Sequence, residues 1–155
     1  MSRIIVLDTG PLGMVTNPKV TSHQDCKQWF HGLMLRGETV GLPEIADYEL
    51  RRELILHGKT QGIKRLDELK SQLLYFPITT ATMLLAAQLW AKTRKNGKPT
   101  ADQKDIDADV ILAAEATLLA EQGHQVIVAS TNIRHLSLFV DAREWQLIDS
   151  SSQGS

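Results

Sequence analysis

The chain has 155 residues, 43% of them apolar and 23% charged, with a formal net charge of −1. That length supports one domain around one core, and the near-neutral balance excludes a bulk field that draws in nucleic acid or membrane, so a polyanion must be met by a local patch or a metal. The single cysteine, Cys26, excludes an internal disulfide and a cysteine-rich zinc site.

Arg3 to Leu7 is an apolar, mostly β-branched run, which predicts a strand buried on both faces. Asp8, Thr9 and Gly10 follow it at the carboxyl end, where open parallel sheets bind ligands. Gly10-Pro11-Leu12-Gly13 predicts a turn, and Met14-Val15 a short apolar piece closed by Asn17-Pro18. Ser22 caps a helix through Arg36, with Cys26, Trp29, Phe30 and Leu33 at helical spacing. Thr39 to Leu42 predicts a second strand. Pro43 opens a helix to His57, stopped by Gly58. Ile63 to Leu74 is a further amphipathic helix, and Tyr75 to Ile78 a third strand whose Pro77 marks an edge. A long helix runs from Thr79 or Thr80 to Lys95. The loop Thr100 to Lys104 precedes a helix from Ile106 to Glu121. Gln125 to Ser130 is the fourth strand, Thr131 to Leu138 a turn and helical stretch, and Trp145 to Ile148 the fifth strand.

Strands alternating with helices predict an α/β fold with a mainly parallel sheet. The domain spans residues 1–149, and 150–155 is a frayed Ser-rich tail. No apolar stretch reaches membrane-spanning length and no signal pattern opens the chain, so a cytoplasmic protein is expected.

Several acids stand where apolar residues belong. On a helical wheel Glu49 lies inside the sector of Ile45, Ala46, Leu50 and Leu56. A buried carboxylate there needs a partner or a metal; Arg52 at i+3 is the plain alternative, and Glu53 is the local rival. Asp109 shares a face with Ala113, Ala116 and Ala120, a stripe that admits close approach to a sheet. Helix capping is its alternative, as it is for Asp107 and Asp105. Asn132 follows the fourth strand as Asp8 follows the first, though Asn is also a common turn residue.

Three carboxylates at one edge repel unless a cation sits among them. All-oxygen ligation suits Mg²⁺ or Mn²⁺, and no two histidines have close helical zinc spacing. Such an ion activates water for attack on a phosphodiester, although phosphatases and phosphotransferases use the same parts. Gly10-Pro11-Leu12-Gly13 is not a dinucleotide-binding glycine loop.

Val6-Leu7-Asp8-Thr9-Gly10-Pro11-Leu12 resembles the first motif of the PIN domain family, and Asp47 to Leu54 resembles its second. Asp107 to Ala116 resembles the third, and Val126 to Asn132 the fourth. The resemblance implies a three-layer α/β/α sandwich with a five-stranded sheet, and a Mg²⁺- or Mn²⁺-dependent nuclease acting on RNA. Small bacterial members are VapC-like toxins, paired with an antitoxin and often homodimeric. Carried over by position, Asp8, Glu49 and Asp109 become metal ligands, with Asp107 in reserve. Asn132 occupies a place where the family more often has Asp. An amide brings no charge for a second metal, which leaves Asn132 as a candidate to orient the attacking water. A catalytically weak PIN-like module that binds RNA or protein is the rival reading. Thr9 and Thr131 are candidate supports for the ligands. Arg51 is expected on a solvated helix face, and Lys92, Arg94, Lys95, Lys98 and Lys104 are the densest basic stretch for RNA phosphate. Trp29, Phe30 and the helix from Ile63 are either core or a groove for a partner.

Overall fold

The computed structural model describes residues 3–95 and 103–149. The tail at 150–155 and most of the loop before the sixth helix lie outside these residues, as do the side chains of Lys98, Lys104 and Asp105.

The described elements run β1 (Arg3–Leu7), α1 (Thr9–Thr16), α2 (Gln24–Leu35), β2 (Thr39–Pro43), α3 (Glu44–Leu56), α4 (Thr60–Gln72), β3 (Leu74–Phe76), α5 (Thr80–Lys95), α6 (Gln103–Ala120), β4 (Gln125–Ser130) and β5 (Ala142–Glu144). The sheet order is β3-β2-β1-β4-β5. The expectation of a mainly parallel sheet in a three-layer sandwich is corrected by the pairing. All four neighbouring pairs are parallel, so the architecture is an α/β fold with a wholly parallel five-stranded sheet and six α-helices among the described residues. Parallel order forces every strand to end on one edge, and that edge positions the site.

β1 lies at the centre because both its faces are apolar. Ile5 and Leu7 pack with Leu12, Leu33, Leu42, Ala46 and Leu66 on one side. Ile4 and Val6 pack with Ile45, Leu112, Ala116 and Leu136 on the other. Each fully buried aliphatic side chain of this kind contributes about 1.5–3 kcal/mol. Ala86, Val110 and Ala114 form a smaller cluster where α5 meets α6.

Several local expectations change. His23 and not Ser22 precedes α2, β3 ends before Pro77, and α6 starts within the expected Thr100–Lys104 loop. Two changes are in the type of element. Gly10-Pro11-Leu12-Gly13 is helical, not a turn. Asp8, extended at φ −74° and ψ 168°, caps α1 by accepting from the Thr9 N–H. Pro11 sits in the first turn, where a backbone N–H has no intrahelical partner to lose. The fifth strand is Ala142–Glu144, while Trp145–Leu147 is a 3-10 turn. Trp145 and Ile148 both reach the core from that turn, a three-residue spacing that suits 3-10 geometry and not strand alternation. The Trp29 indole donates to the Ile148 carbonyl at 2.9 Å and pins the turn. Trp29 is therefore core, 6% exposed.

Candidate functional site

The β1/β4 register pairs Leu7 with Ala129. The next residues, Asp8 and Ser130, therefore meet at the sheet edge. The Ser130 hydroxyl donates to Asp8 Oδ2 at 2.6 Å, and the Thr9 N–H donates to Oδ1 at 2.8 Å. Burial pushes the Asp8 carboxyl above its usual pKa, and these two donors pull back against that shift. Its ionised form is therefore short of solvation.

α3 carries Glu49 to the same place. Thr9 Oγ1 donates to Glu49 Oε1 at 2.7 Å. Thr9 thus touches both acids, one through its backbone and one through its hydroxyl. Arg52 stands 3.8 Å from Glu49 Oε2, so the i+3 ion pair weighed from the sequence also forms. It is loose, and Arg52 is half exposed.

Asp109 lies half-buried about two turns into α6, one turn before buried Ala113 and two before buried Ala116. Among the described residues no group of three His, Cys, Asp or Glu side chains is placed to hold a metal ion. The structure joins Asp8 and Glu49 through Thr9, then, without closing a three-carboxylate cluster around them. Asp107 is exposed and lines an apolar groove with Met83, Trp90 and Val110 between α5 and α6. Asn132 is exposed; its Oδ1 accepts from the Arg134 N–H at 3.3 Å, and its own N–H donates to Ser130 Oγ at 3.0 Å. Its amide oxygen serves the turn that holds Ser130. Thr131 is exposed and lies against Gly10, where an added Cβ would come within 2.5 Å of Oγ1.

The donor set is oxygen only. Mg²⁺ is commonly held by one or two carboxylates together with waters and substrate phosphates. A desolvated Asp8 beside Glu49 fits that chemistry.

Several residues escaped the sequence reading. Ser130 looks like the end of an apolar strand, and only the parallel register to β1 exposes its role. Glu115 is 3% exposed on α6. Its Oε1 accepts from the Ile45 N–H at 3.3 Å at the start of α3, while Oε2 has no hydrogen-bond partner. Burial first, and neighbouring Glu44 second, push its carboxyl up to about 8. Glu44 in turn accepts from the Ile78 N–H at 2.7 Å. Arg51 is not on a free solvated face: it bonds Asp47 at 2.7 Å and Asp67 at 2.8 Å, bridging α3 to α4. Arg94 stacks over Trp90 at 4.7 Å. No described helix is long and apolar enough to cross a membrane.

No protein-family model matches the chain, and no curated protein matches it significantly in sequence. Among solved structures it is similar to a chain of FitAcB from Neisseria gonorrhoeae, with a TM-score of 0.69 and 22% identity over 93% of this chain and 99% of that one. It is also similar to a chain of VapBC-1 from nontypeable Haemophilus influenzae, at 0.65 and 16% over 92% and 98%. A third likeness is to a chain of VapBC2 from Rickettsia felis bound to a DNA fragment from their promoter, at 0.64 and 16% over 92% and 98%. At these identities the likeness is one of fold: the chain shares the architecture of chains found in VapBC and FitAB complexes.

Proposed function

We propose that the chain is a Mg²⁺- or Mn²⁺-dependent endoribonuclease, the toxin component of a VapBC-type toxin–antitoxin pair. The carrying observation is the Asp8–Thr9–Glu49 linkage at the carboxyl edge of a parallel sheet. The fold shared with chains of VapBC and FitAB complexes supports the toxin–antitoxin context. It favours a cognate antitoxin as partner, and we assign a cytoplasmic homodimer as the working form.

In this reading Asp8 and Glu49 would hold the ion, and Asp109 on α6 is the further carboxylate that would have to move in to join them, since the three do not form a cluster among the described residues. A bound ion would supply water activation and charge neutralisation at a phosphodiester. The chain's own residues do the positioning. Ser130 and Thr9 fix the two oxygens of Asp8, and Thr9 also fixes Glu49, so both carboxylates are oriented before any ligand arrives. Asn132 stands at the same edge, and its NH₂ group is the one we assign to water, because Oδ1 accepts from Arg134.

The test is cleavage of total RNA by purified protein with and without EDTA, alongside Asp8→Asn. Metal-dependent cleavage lost in the variant supports the reading; cleavage unchanged in Asp8→Asn removes it.

The absence of a three-residue metal group among the described residues favours a second reading, a catalytically weak module that binds RNA or protein. Calorimetric titration with Mn²⁺ separates the two: the nuclease binds the ion and the module does not.

A further inference from the structure

Arg3, Arg51 and Arg143 each hydrogen-bond an acidic partner, respectively Glu38, Asp47 and Asp141. Arg52 differs. It stands 3.8 Å from Glu49 Oε2, beyond hydrogen-bond length. Its guanidinium lies over the Tyr48 ring, 5.1 Å from the centroid. Glu49 at i−3 and Tyr48 at i−4 share one side of α3 with it. Tyr48 and Arg52 are both exposed.

Position decides what this arginine meets. Thr9 joins Glu49 to Asp8, so Arg52 borders the carboxylate edge. A chain of net charge −1 offers a polyanion no bulk field, and two carboxylates repel it at short range. A phosphate that comes to this edge needs a local positive charge. Arg51 next door is committed, because Asp47 and Asp67 hold it between α3 and α4. Arg52 carries its charge at the edge without such a commitment. A guanidinium has five N–H donors and matches a phosphate two at a time. The ring beneath it holds the charge in place without taking an acceptor's role, so the donors remain for a phosphate.

We propose that Arg52 grips substrate phosphate at this edge: loosely paired with Glu49 in the free chain, it turns onto a backbone phosphate of single-stranded RNA when a divalent ion takes the Glu49 carboxylate. An ion on Glu49 cancels the attraction that holds Arg52 and repels the guanidinium. The pair that breaks is exposed and longer than a hydrogen bond, so the exchange costs little. Arg52 then fixes the register of the strand and reads no base. Its part in cleavage rests on the nuclease reading, and its phosphate contact does not.

The experiment compares the parent with Arg52→Gln, Arg52→Lys and Arg65→Gln, the last removing an equal charge at an exposed position on α4. Mn²⁺ is titrated by calorimetry. A fluorescein-labelled 2′-O-methyl RNA oligonucleotide is titrated by anisotropy, once in Mn²⁺ and once in EDTA. Arg52→Gln should bind Mn²⁺ about threefold more tightly, because a cation that competes for Glu49 is gone. In Mn²⁺ it should bind the oligonucleotide about tenfold more weakly, with a salt slope shallower by about 0.7, the share of one single-strand phosphate contact. Arg52→Lys should keep the slope and recover part of the affinity. A damaged fold lowers both affinities, so the opposite signs separate a lost contact from a lost structure. No oligonucleotide binding by the parent, parental affinity in Arg52→Gln, or an equal loss in Arg65→Gln overturns the phosphate contact. Mn²⁺ affinity unchanged or lowered in Arg52→Gln overturns the exchange at Glu49. If the parent binds no Mn²⁺ and cleaves no RNA, the nuclease reading falls and the EDTA titration alone decides the contact. Metal-dependent cleavage with parental oligonucleotide affinity in Arg52→Gln does the reverse.

Discussion

Ser130 donates its hydroxyl to Asp8 across the β1/β4 seam at 2.6 Å, linking residues that are 122 positions apart in the chain. The bond orients one oxygen of a carboxylate that burial holds above its usual pKa. Ser130→Ala removes that donor and leaves Asp8 harder to ionise. Supporting residues of this kind change metal affinity by about 10–100-fold. The expected outcome is a Mn²⁺ affinity about tenfold lower by calorimetry, with the fold intact by circular dichroism. Unchanged affinity would show that Ser130 only packs.

Glu115 provides a pH-dependent stability term. Its carboxyl titrates at about 8 in the fold against an ordinary 4.5, chiefly because it is buried. Below pH 4.5 it is protonated folded and unfolded alike and adds no pH dependence. As pH climbs from there toward 8 the unfolded chain ionises first, so stability is lost by roughly 4–5 kcal/mol, an order-of-magnitude figure from about 1.36 kcal/mol per pKa unit. Above the folded pKa the loss levels off. Glu115→Gln keeps the carbonyl acceptor for Ile45 and cannot ionise. Urea unfolding should find it close to the parent near the acid end of this window and more stable at the alkaline end. An equal difference at both ends would refute the assignment.

The parts legible in sequence were those where one residue type carries the signal alone. Ile4 to Leu7 and Val126 to Ala129 are continuous apolar runs, and both form central strands. Glu49 stands out because a carboxylate breaks an apolar arc, and it does meet Asp8 through Thr9. Illegible parts depend on a partner far along the chain. Ser130 has meaning only in register with β1. Glu115, inside an apolar helix, has meaning only where α3 begins. α1 hid behind glycine and proline that normally mark a turn, because the Asp8 cap and the buried Leu12 outweigh local propensity. β5 hid because Ala-Arg-Glu carries no apolar pattern.

Asp47 is 5% exposed and bonded twice by Arg51, at 2.7 and 3.2 Å. Removing one partner of a buried pair leaves a charge without compensation. Arg51→Met should cost about 1–3 kcal/mol in urea unfolding, below the range for fully buried pairs, because Arg51 is partly exposed and Lys70 remains 4.0 Å from Asp47. Arg51→Met in an Asp47→Asn background should cost much less, since no buried charge is then stranded. Additive losses would show that Arg51 acts by packing alone.

Gly10 has no room for a side chain beside Thr131. A Cβ on Gly10 would stand 2.5 Å from Thr131 Oγ1, 2.9 Å from Cγ2 and 3.3 Å from Cβ. Both branches of the threonine are too close, so no rotation about its Cα–Cβ bond clears them, and backbone must move. Gly10→Ala should therefore cost about 1–3 kcal/mol as overpacking. It should also weaken Mn²⁺ binding, because the displaced backbone adjoins Asp8 and Thr9. Thr131→Gly removes the obstacle. The double variant should regain affinity and show a favourable coupling of about 1–2 kcal/mol in the cycle. Independent effects of the two changes would mean that α1 absorbs the Cβ by shifting away from the β4 end, and that the edge is softer than its hydrogen bonds imply.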